Sequence, residues 1–318
     1  MPKRRGVRSL GRRPVRSPPD RRSQQEGSGA MVISGTHRTL LGRLLPGEDP
    51  AGLTIRQGQF HHVVIGAERV VCFARTGAAA ERLPGRAARL RDLAGLGLGF
   101  RTPEPLEEGG GAGPDEPAYL VLTRVPGAVL AEDVLEDPEA AEAVAAQYAA
   151  LLSALAAAGG DDRARAALPH APEGEWREFA DGVRAELLPL MHDAGRVRAA
   201  RELAALDGLP HLTSAVVHGD LGGENVLWET VDGLPRLSGV VDWDEVALGD
   251  QAEDLAAIGA SYGEELLGRV LALGGGAAGG DAAGRIAAIR GTFALQQALQ
   301  ARRDGDEGEV ADGLAGYR

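Results

Sequence analysis

The chain has little of two residue types that often carry chemistry. Its 318 residues include one cysteine, Cys72, and one lysine, Lys3. A single cysteine excludes an internal disulfide and a multi-cysteine zinc site, and its setting in the apolar run VVCFA predicts a buried side chain. Because the lysine lies at the start of the chain, positive charge in a folded active site must come from arginine, histidine or backbone amides.

Long apolar runs are also missing. No stretch of eighteen consecutive apolar residues occurs, and no apolar segment follows the basic residues at the N-terminus. The sequence therefore supports neither a membrane-spanning helix nor a secretory signal. We expect a cytoplasmic protein with no membrane partner.

The net charge of −12 conceals two regions of opposite sign. Residues 1–30 contain nine basic and two acidic side chains, whereas the rest of the chain contains 25 basic and 44 acidic ones. The first region lacks aromatic residues that could stack on bases and has no amphipathic period, so we expect a disordered basic leader. The acidic remainder argues against a nucleic-acid partner and favours a small cationic ligand.

Hydrophobic periodicity divides the chain into two parts of different character. Two helical segments and five β-prone runs alternate up to residue 124, and Pro84-Gly85 is expected to divide the second helical segment. From Pro138 onward the pattern is helical, apart from two β-prone runs that flank Asp232-Gly233, a pair typical of a tight hairpin. The order predicts an α+β chain with a small antiparallel sheet first and a larger helical part second.

Polar residues cluster in HGDLGGENVLW, which begins at His218, and in GVVDW, which ends at Trp243. Asp220 precedes Asn225 by five positions, and Asp242 follows the second strand of the predicted hairpin. Because a hairpin brings its strand ends together, Asn225 and Asp242 should lie side by side, with Asp220 across the loop. Three oxygen donors without cysteine or histidine suit Mg²⁺ and predict phosphoryl transfer. Taken alone, Asp220 and Asn225 could instead form an Asx turn or a helix cap.

The two motifs together resemble the catalytic and metal loops of the aminoglycoside phosphotransferase and choline kinase group of the protein-kinase-like superfamily. The resemblance covers most of residues 50–318 and is strongest over 216–256. It implies a two-lobed α+β fold, with a nucleotide-binding N-lobe over 36–124, a hinge over 125–130 and a helical C-lobe over 131–318. It also implies transfer of the γ-phosphoryl group of ATP or GTP to a hydroxyl of a small molecule.

Roles for individual residues follow from the resemblance. Asp220 would be the catalytic base, and Asn225 and Asp242 would hold Mg²⁺ at the nucleotide phosphates. Three further residues would support the catalytic loop without reacting: His218, Asp250 and Asp254.

The nucleotide lobe departs from the family pattern at its cation. Arg75 stands where related chains have a phosphate-contacting lysine, and a surface arginine is the alternative interpretation. The glutamate that normally pairs with this lysine is replaced by Arg86, although Glu81 could substitute from an earlier turn. At the hinge, Thr123 and Val125 would present backbone groups to the adenine.

Two other groups are interpreted as structural. His61 and His62 alternate faces of one strand, which predicts one buried and one exposed ring rather than a metal site. Trp176, Phe179 and Met191 recur at helical spacing and predict core packing more than an acceptor pocket.

The sequence leaves the acceptor open. The acidic body and the helical insertion over 138–207 favour an aminoglycoside or a related antibiotic, and a choline-like amine, homoserine or a sugar are alternatives. A catalytically silent nucleotide-binding module is a hypothesis of a different class, because the usual lysine is missing. A kinase that acts on proteins is disfavoured, because EVALGDQAED leaves little room for an activation segment.

Overall fold

The computed structural model describes residues 35–49, 53–58, 60–111, 117–274 and 281–318. The predicted basic leader, residues 1–30, lies outside the described residues. The helices are α1 (Gly35–Leu44), α2 (Gly77–Ala94), α3 (Pro138–Gly159), α4 (Asp162–Ala167), α5 (Glu175–Gly182), α6 (Asp193–Leu206), α7 (Ala252–Ala272), α8 (Ala282–Gly291), α9 (Phe293–Asp304) and α10 (Glu307–Gly313). The strands are β1 (Thr54–Gln57), β2 (His61–Ile65), β3 (Arg69–Ala74), β4 (Pro105–Gly109), β5 (Tyr119–Thr123), β6 (Ala215–Val217), β7 (Val226–Val231), β8 (Leu234–Val240) and β9 (Ala247–Gly249). Short 3₁₀ turns cover Glu132–Glu136, Leu188–Leu190, Gly223–Asn225 and Trp243–Glu245, and a π-helical turn covers Val183–Leu187.

The first part of the chain forms an antiparallel sheet in the order β1-β2-β3-β5-β4. On its central strand β3, Val71 and Phe73 pack in a small core with α1, whereas Cys72 belongs to the large core that includes α2. Successive side chains of a strand point to opposite faces. Each strand position of this sheet therefore faces either α1 or α2.

Helix α2 is continuous through Pro84, so the expectation that Pro84-Gly85 divides it is wrong. Thr76 caps its first turn, and its Oγ1 accepts a hydrogen bond from the Ala79 amide at 3.1 Å. Burying one leucine stabilises a fold by about 1.5 to 3 kcal/mol, whereas an interior proline costs roughly 3 kcal/mol. Packing therefore outweighs the proline, because the buried stripe consists of Ala79, Leu83, Ala87, Leu90 and Leu93.

The second part of the chain is mostly helical and has two cores. The large core joins α3 and α7 to the sheet, and the second unites α5, α6, α9 and α10. Phe179 and Met191 are buried in the second core, and Trp176 packs against both, so the prediction of core packing is confirmed. Among the described helices, α3 is long and apolar enough to cross a membrane, but half of its apolar window is buried inside the protein.

Two antiparallel ribbons lie within the helical part. Strands β7 and β8 form the predicted hairpin, whose turn has positive φ at Asp232 (52°) and Gly233 (84°), as a type I′ turn requires. Strands β6 and β9 form the second ribbon, in which Val216 lies opposite Leu248. The predicted order of a small antiparallel sheet followed by a helical part is confirmed, and the loops between these ribbons contain the polar cluster.

Candidate functional site

The loop after β6 is fastened to helix α7 by a single carboxylate. The backbone amides of His218 and Gly219 donate hydrogen bonds to Oδ2 and Oδ1 of Asp254, at 2.9 and 3.0 Å. Asp254 is fully buried, so its charge is satisfied by these protein donors rather than by solvent. This contact fixes the start of the loop before Asp220.

The buried ring of His218 connects the loop to the end of β8. Its Nε2 lies 2.9 Å from the Val241 carbonyl, and its Nδ1 accepts a hydrogen bond from the Asp220 amide at 3.2 Å. These two bonds define the neutral tautomer that carries its proton on Nε2. Burial lowers the pKa of His218 to about 4, so the ring stays neutral near pH 7 and acts as a brace.

A glycine is required between His218 and Asp220. Gly219 has a φ of +84°, and a Cβ at this position would lie 2.8 Å from the Glu245 carbonyl oxygen. Both the left-handed backbone and the close approach exclude a larger residue. The turn at Gly219 connects the buried His218 to the half-buried Asp220.

Asn225 links Asp220 to the segment that follows strand β8. Its Nδ2 donates to the backbone oxygen of Asp220 at 2.8 Å and to the Asp220 carboxylate at 3.2 Å, while its backbone oxygen accepts from the Val241 amide at 2.9 Å. Because the amide nitrogen serves Asp220, the amide oxygen lies on the other side of the group. Asn225 thus joins the loop to the residue immediately before Asp242.

Asp242 has a backbone conformation that is uncommon for a residue other than glycine. Its φ and ψ are 65° and 55°, in the left-handed region, and its side chain is 50% exposed. Hydrogen bonds of the flanking residues hold this conformation. The Val241 carbonyl bonds to His218 and the Val241 amide bonds to Asn225. Trp243 Nε1 donates to the Val240 carbonyl at 2.9 Å. Such conformations cluster at functional sites.

The structure therefore brings Asp220, Asn225 and Asp242 to adjoining strand ends, as the hairpin pattern predicts. The chemical roles assigned to them remain predictions. Asp250 supports the helix rather than the loop itself. Its carboxylate pairs with Arg285 at 2.7 Å and accepts a hydrogen bond from the Ala252 amide at 3.0 Å. It holds the start of α7, the helix that carries Asp254.

A family model described as the phosphotransferase enzyme family matches residues 56–289. The chain belongs to this family. It is 75% identical over 288 residues to viomycin phosphotransferase from Streptomyces vinaceus, and the match covers 91% of this chain and 100% of the relative. The predicted family membership and the predicted enzyme class are confirmed.

Solved structures of other phosphotransferases share the fold of this phosphotransferase. A GDP complex of an aminoglycoside 2'-phosphotransferase matches with a TM-score of 0.74 at 20% identity, over 88% of this chain and 95% of that one. A macrolide 2'-phosphotransferase matches with a TM-score of 0.64 at 23% identity, over 90% and 98% of the two chains. The two-lobed, protein-kinase-like fold predicted from the motifs is confirmed.

Two of the predicted nucleotide contacts make hydrogen bonds within the first part of the chain. Arg75 is exposed, and its Nη1 donates to the Gly58 carbonyl at 2.8 Å. The Thr123 amide donates to the Glu104 carbonyl at 2.9 Å, and Val125 is buried. The nucleotide-binding roles of Arg75, Thr123 and Val125 remain predictions.

Arg86 forms an ion pair beside Asp242 that the sequence pattern does not predict. Arg86 Nε lies 2.6 Å from Asp244 Oδ1, and Arg86 Nη2 lies 3.8 Å from Asp242 Oδ1. Burial lowers the pKa of the Arg86 guanidinium, but the nearby carboxylates of Asp244 and Asp242 raise it by more, so the pKa lies above its ordinary value and the group stays charged. The sequence signal was the arginine at the usual glutamate position; the proposed substitute, Glu81, is exposed.

A cavity of the described part of the chain adjoins the hinge rather than the polar cluster. This cavity has a volume of about 760 Å³ and lies between the end of α2, the hinge and the β7-β8 hairpin. Its lining includes two predicted nucleotide contacts, Thr123 and Val125, but not the catalytic-loop or metal-loop residues. The candidate site is defined by its hydrogen bonds and charges instead.

Proposed function

We propose that this phosphotransferase moves the γ-phosphoryl group of a nucleoside triphosphate to a hydroxyl of viomycin. The observation that carries the proposal is 75% identity to a viomycin phosphotransferase along that protein's full length. The sequence predicts an aminoglycoside or a related antibiotic as the acceptor, and this relative favours viomycin within that range.

Asp220 is proposed as the base that orients the acceptor hydroxyl and takes its proton. Its carboxylate is partly exposed at the end of a loop fastened by Asp254 and His218, so an acceptor can reach it. The amide of Asn225 donates to the same carboxylate and holds its orientation. A base positioned in this way contributes roughly 10²-fold to 10⁴-fold to a transfer rate.

Asn225 and Asp242 fit Mg²⁺ by the chemistry of their donors. Asp242 offers a half-exposed carboxylate, and Asn225 offers the amide oxygen opposite the nitrogen that serves Asp220. Within the described residues no group of three histidine, cysteine, aspartate or glutamate side chains could hold a metal alone. Mg²⁺ suits such a sparse site, because it completes its octahedron with water and phosphate oxygens. When bound, Mg²⁺ would offset negative charge on the transferred group.

For the nucleotide base, we propose contacts with the Thr123 carbonyl and the Val125 amide. The Thr123 amide already donates to Glu104, and the Thr123 hydroxyl accepts from the Glu104 amide at 2.8 Å. These bonds fix the residue that enters the hinge. The contacts of these two backbone groups with the base would determine whether the protein prefers ATP or GTP.

The test is a transfer assay with purified protein, Mg²⁺, and ATP or GTP in parallel. The acceptors are viomycin, an aminoglycoside and a macrolide, and products are identified by mass spectrometry. We expect singly phosphorylated viomycin and far less product from the other two. Folded protein that leaves viomycin unmodified with both nucleotides would contradict the proposal. Asp312→Asn, an exposed acid-to-amide change on α10, is the matched control for Asp220→Asn.

A further inference from the structure

Two arginines could serve the nucleotide phosphates, and the adjacent histidines of β2 show that they lie on opposite faces of the sheet. His62 lies close to Arg75 and His37, on the face covered by α1. His61 lies close to Arg86 and Asp244, on the face covered by α2. The metal-loop residue Asp242 is on the Arg86 side, 3.8 Å from its guanidinium. Arg86 is therefore the arginine beside the site.

Two nitrogen donors of Arg86 lack an aligned acceptor in the described part of the chain. Its side chain is 14% exposed, yet its Nε and Nη1 have no acceptor in good hydrogen-bond geometry within the described part of the chain, despite the short distance to Asp244. The buried Nε2 of His61, next to it, also has no partner there. Unsatisfied buried donors are costly, and the ion pair with Asp244 offsets part of this cost at Arg86 without supplying an aligned hydrogen bond. A phosphate offers several acceptor oxygens to a guanidinium fork.

The residue facing Arg86 from the sheet is Cys72, on the central strand β3. Its thiol lies against the guanidinium, and burial raises the pKa of the thiol, so it remains neutral. In the protein-kinase-like fold, a lysine on the third strand normally contacts phosphate and pairs with a glutamate on the following helix. In this chain the residue on the strand is the uncharged Cys72, the cation is Arg86 on helix α2, and the acid that pairs with it is Asp244 on the metal loop.

We propose that Arg86 binds the nucleotide phosphates from helix α2, in place of a lysine on the strand, and that Asp244 is the positioning residue that holds its guanidinium. The proposal rests on the proposed function for the identity of the ligand. It assigns to Arg86 the phosphate-binding role that the sequence pattern predicts for Arg75.

The test measures MgATP affinity by calorimetry without acceptor, and then kcat and KM with viomycin. We expect Arg86→Gln to weaken MgATP binding at least tenfold and to lower kcat about a hundredfold, and Arg86→Lys to recover part of both. Arg91→Gln is the matched control, because Arg91 is an exposed arginine of the same helix that pairs with Glu108. Arg75→Gln should weaken MgATP binding much less than Arg86→Gln.

The role of Asp244 is tested by a double-mutant cycle. Asp244→Asn should lower kcat in the wild-type background but have little further effect in Arg86→Gln, because Asp244 acts through Arg86. The Arg86→Gln/Asp244→Asn protein also removes both charges together, so it keeps the test valid if Arg86→Gln alone misfolds. Wild-type MgATP affinity in this folded double variant would overturn the proposal.

The binding and transfer measurements separate the two proposals. Wild-type protein that binds MgATP but leaves viomycin unmodified would reject the proposed acceptor, and the Arg86 variants would still report on phosphate binding. Viomycin phosphorylation that survives Arg86→Gln but is lost in Arg75→Gln would reject the role of Arg86 and leave the proposed function intact.

Discussion

The catalytic loop and the sheet differ in how they treat buried polar groups. In the loop, Asp254 binds two amides, and both ring nitrogens of His218 have partners. Between the sheet and α2, the donors of Arg86 and His61 are left without acceptors in good geometry among the described residues. In the loop, the protein itself supplies the hydrogen-bond partners. Between the sheet and α2, we propose that phosphate oxygens supply the missing acceptors.

This difference separates groups that hold the fold from groups that meet a ligand. A buried donor that is satisfied internally contributes to stability, and its loss should lower the free energy of unfolding. A buried donor without an aligned partner costs free energy until a ligand supplies one, so its loss should affect binding and turnover more than stability. Substitutions on the two sides should therefore change different measurements.

The largest expected effect is on turnover in Asp220→Asn. The amide cannot take the acceptor proton, so we expect kcat for viomycin phosphorylation to fall roughly 10²-fold to 10⁴-fold. Nucleotide affinity and the unfolding midpoint should stay close to those of the wild type, as measured by calorimetry and urea titration. A variant that keeps more than a tenth of the wild-type kcat would assign the base to another group.

Asp242→Asn should follow, with an effect that depends on the metal. Replacing the carboxylate weakens the Mg²⁺ site. Because a bound metal stabilises the charge of the transition state by several kcal/mol, kcat should fall at least about a hundredfold. Chelation of Mg²⁺ should abolish wild-type turnover, and added Mg²⁺ should restore part of the activity of the variant. Full wild-type activity under chelation would exclude a metal at this pair.

Asp254→Asn should act mainly on stability. The amide group can accept only one of the two hydrogen bonds from His218 and Gly219, and bonds to a charged group are worth about 1.5 to 3 kcal/mol each. We expect the free energy of unfolding to fall by about 3 kcal/mol in urea denaturation. Asp312→Asn should leave it unchanged. Equal stability of the two variants would contradict the bracing role of Asp254.

The smallest expected effect is a pH dependence of stability that comes from His218. Its folded pKa of about 4 lies below the ordinary 6.5, so its contribution is complete above pH 6.5 and is lost as the pH falls toward 4. Between pH 6.5 and 5 this loss is about 2 kcal/mol. His218→Gln should lose less stability over that interval than the wild type. The exposed-site control His170→Gln should match the wild type, and identical slopes in all three proteins would refute the assignment.

The polar loop could be predicted from sequence because its parts are local. Asp232-Gly233 sets the hairpin, the hairpin sets the neighbours of Asn225, and Asp242 follows the second strand directly. Short spacing and turn chemistry thus determined which side chains meet. The fold class followed from the same elements, with the β-prone runs preceding the helices.

The arginine beside the site could not be predicted in this way. Arg86 and Asp244 are far apart in sequence, and their contact depends on how α2 packs against the metal loop. The predicted break at Pro84 would also have changed the face on which Arg86 lies; the helix stays continuous because its leucines are buried. Arg75 looked suitable because of its place after β3, but Arg75 and Cys72 serve opposite faces of the sheet.

A crystal structure with Mg²⁺, a non-hydrolysable ATP analogue and viomycin is the most direct test of the proposed site. We predict that an acceptor hydroxyl lies within hydrogen-bond distance of the Asp220 carboxylate, and that Mg²⁺ is bound by Asn225 and Asp242. The guanidinium of Arg86 should contact phosphate oxygens. A complex in which the phosphates contact Arg75 while Arg86 touches only Asp244, or in which viomycin lies away from Asp220, would contradict the proposed site.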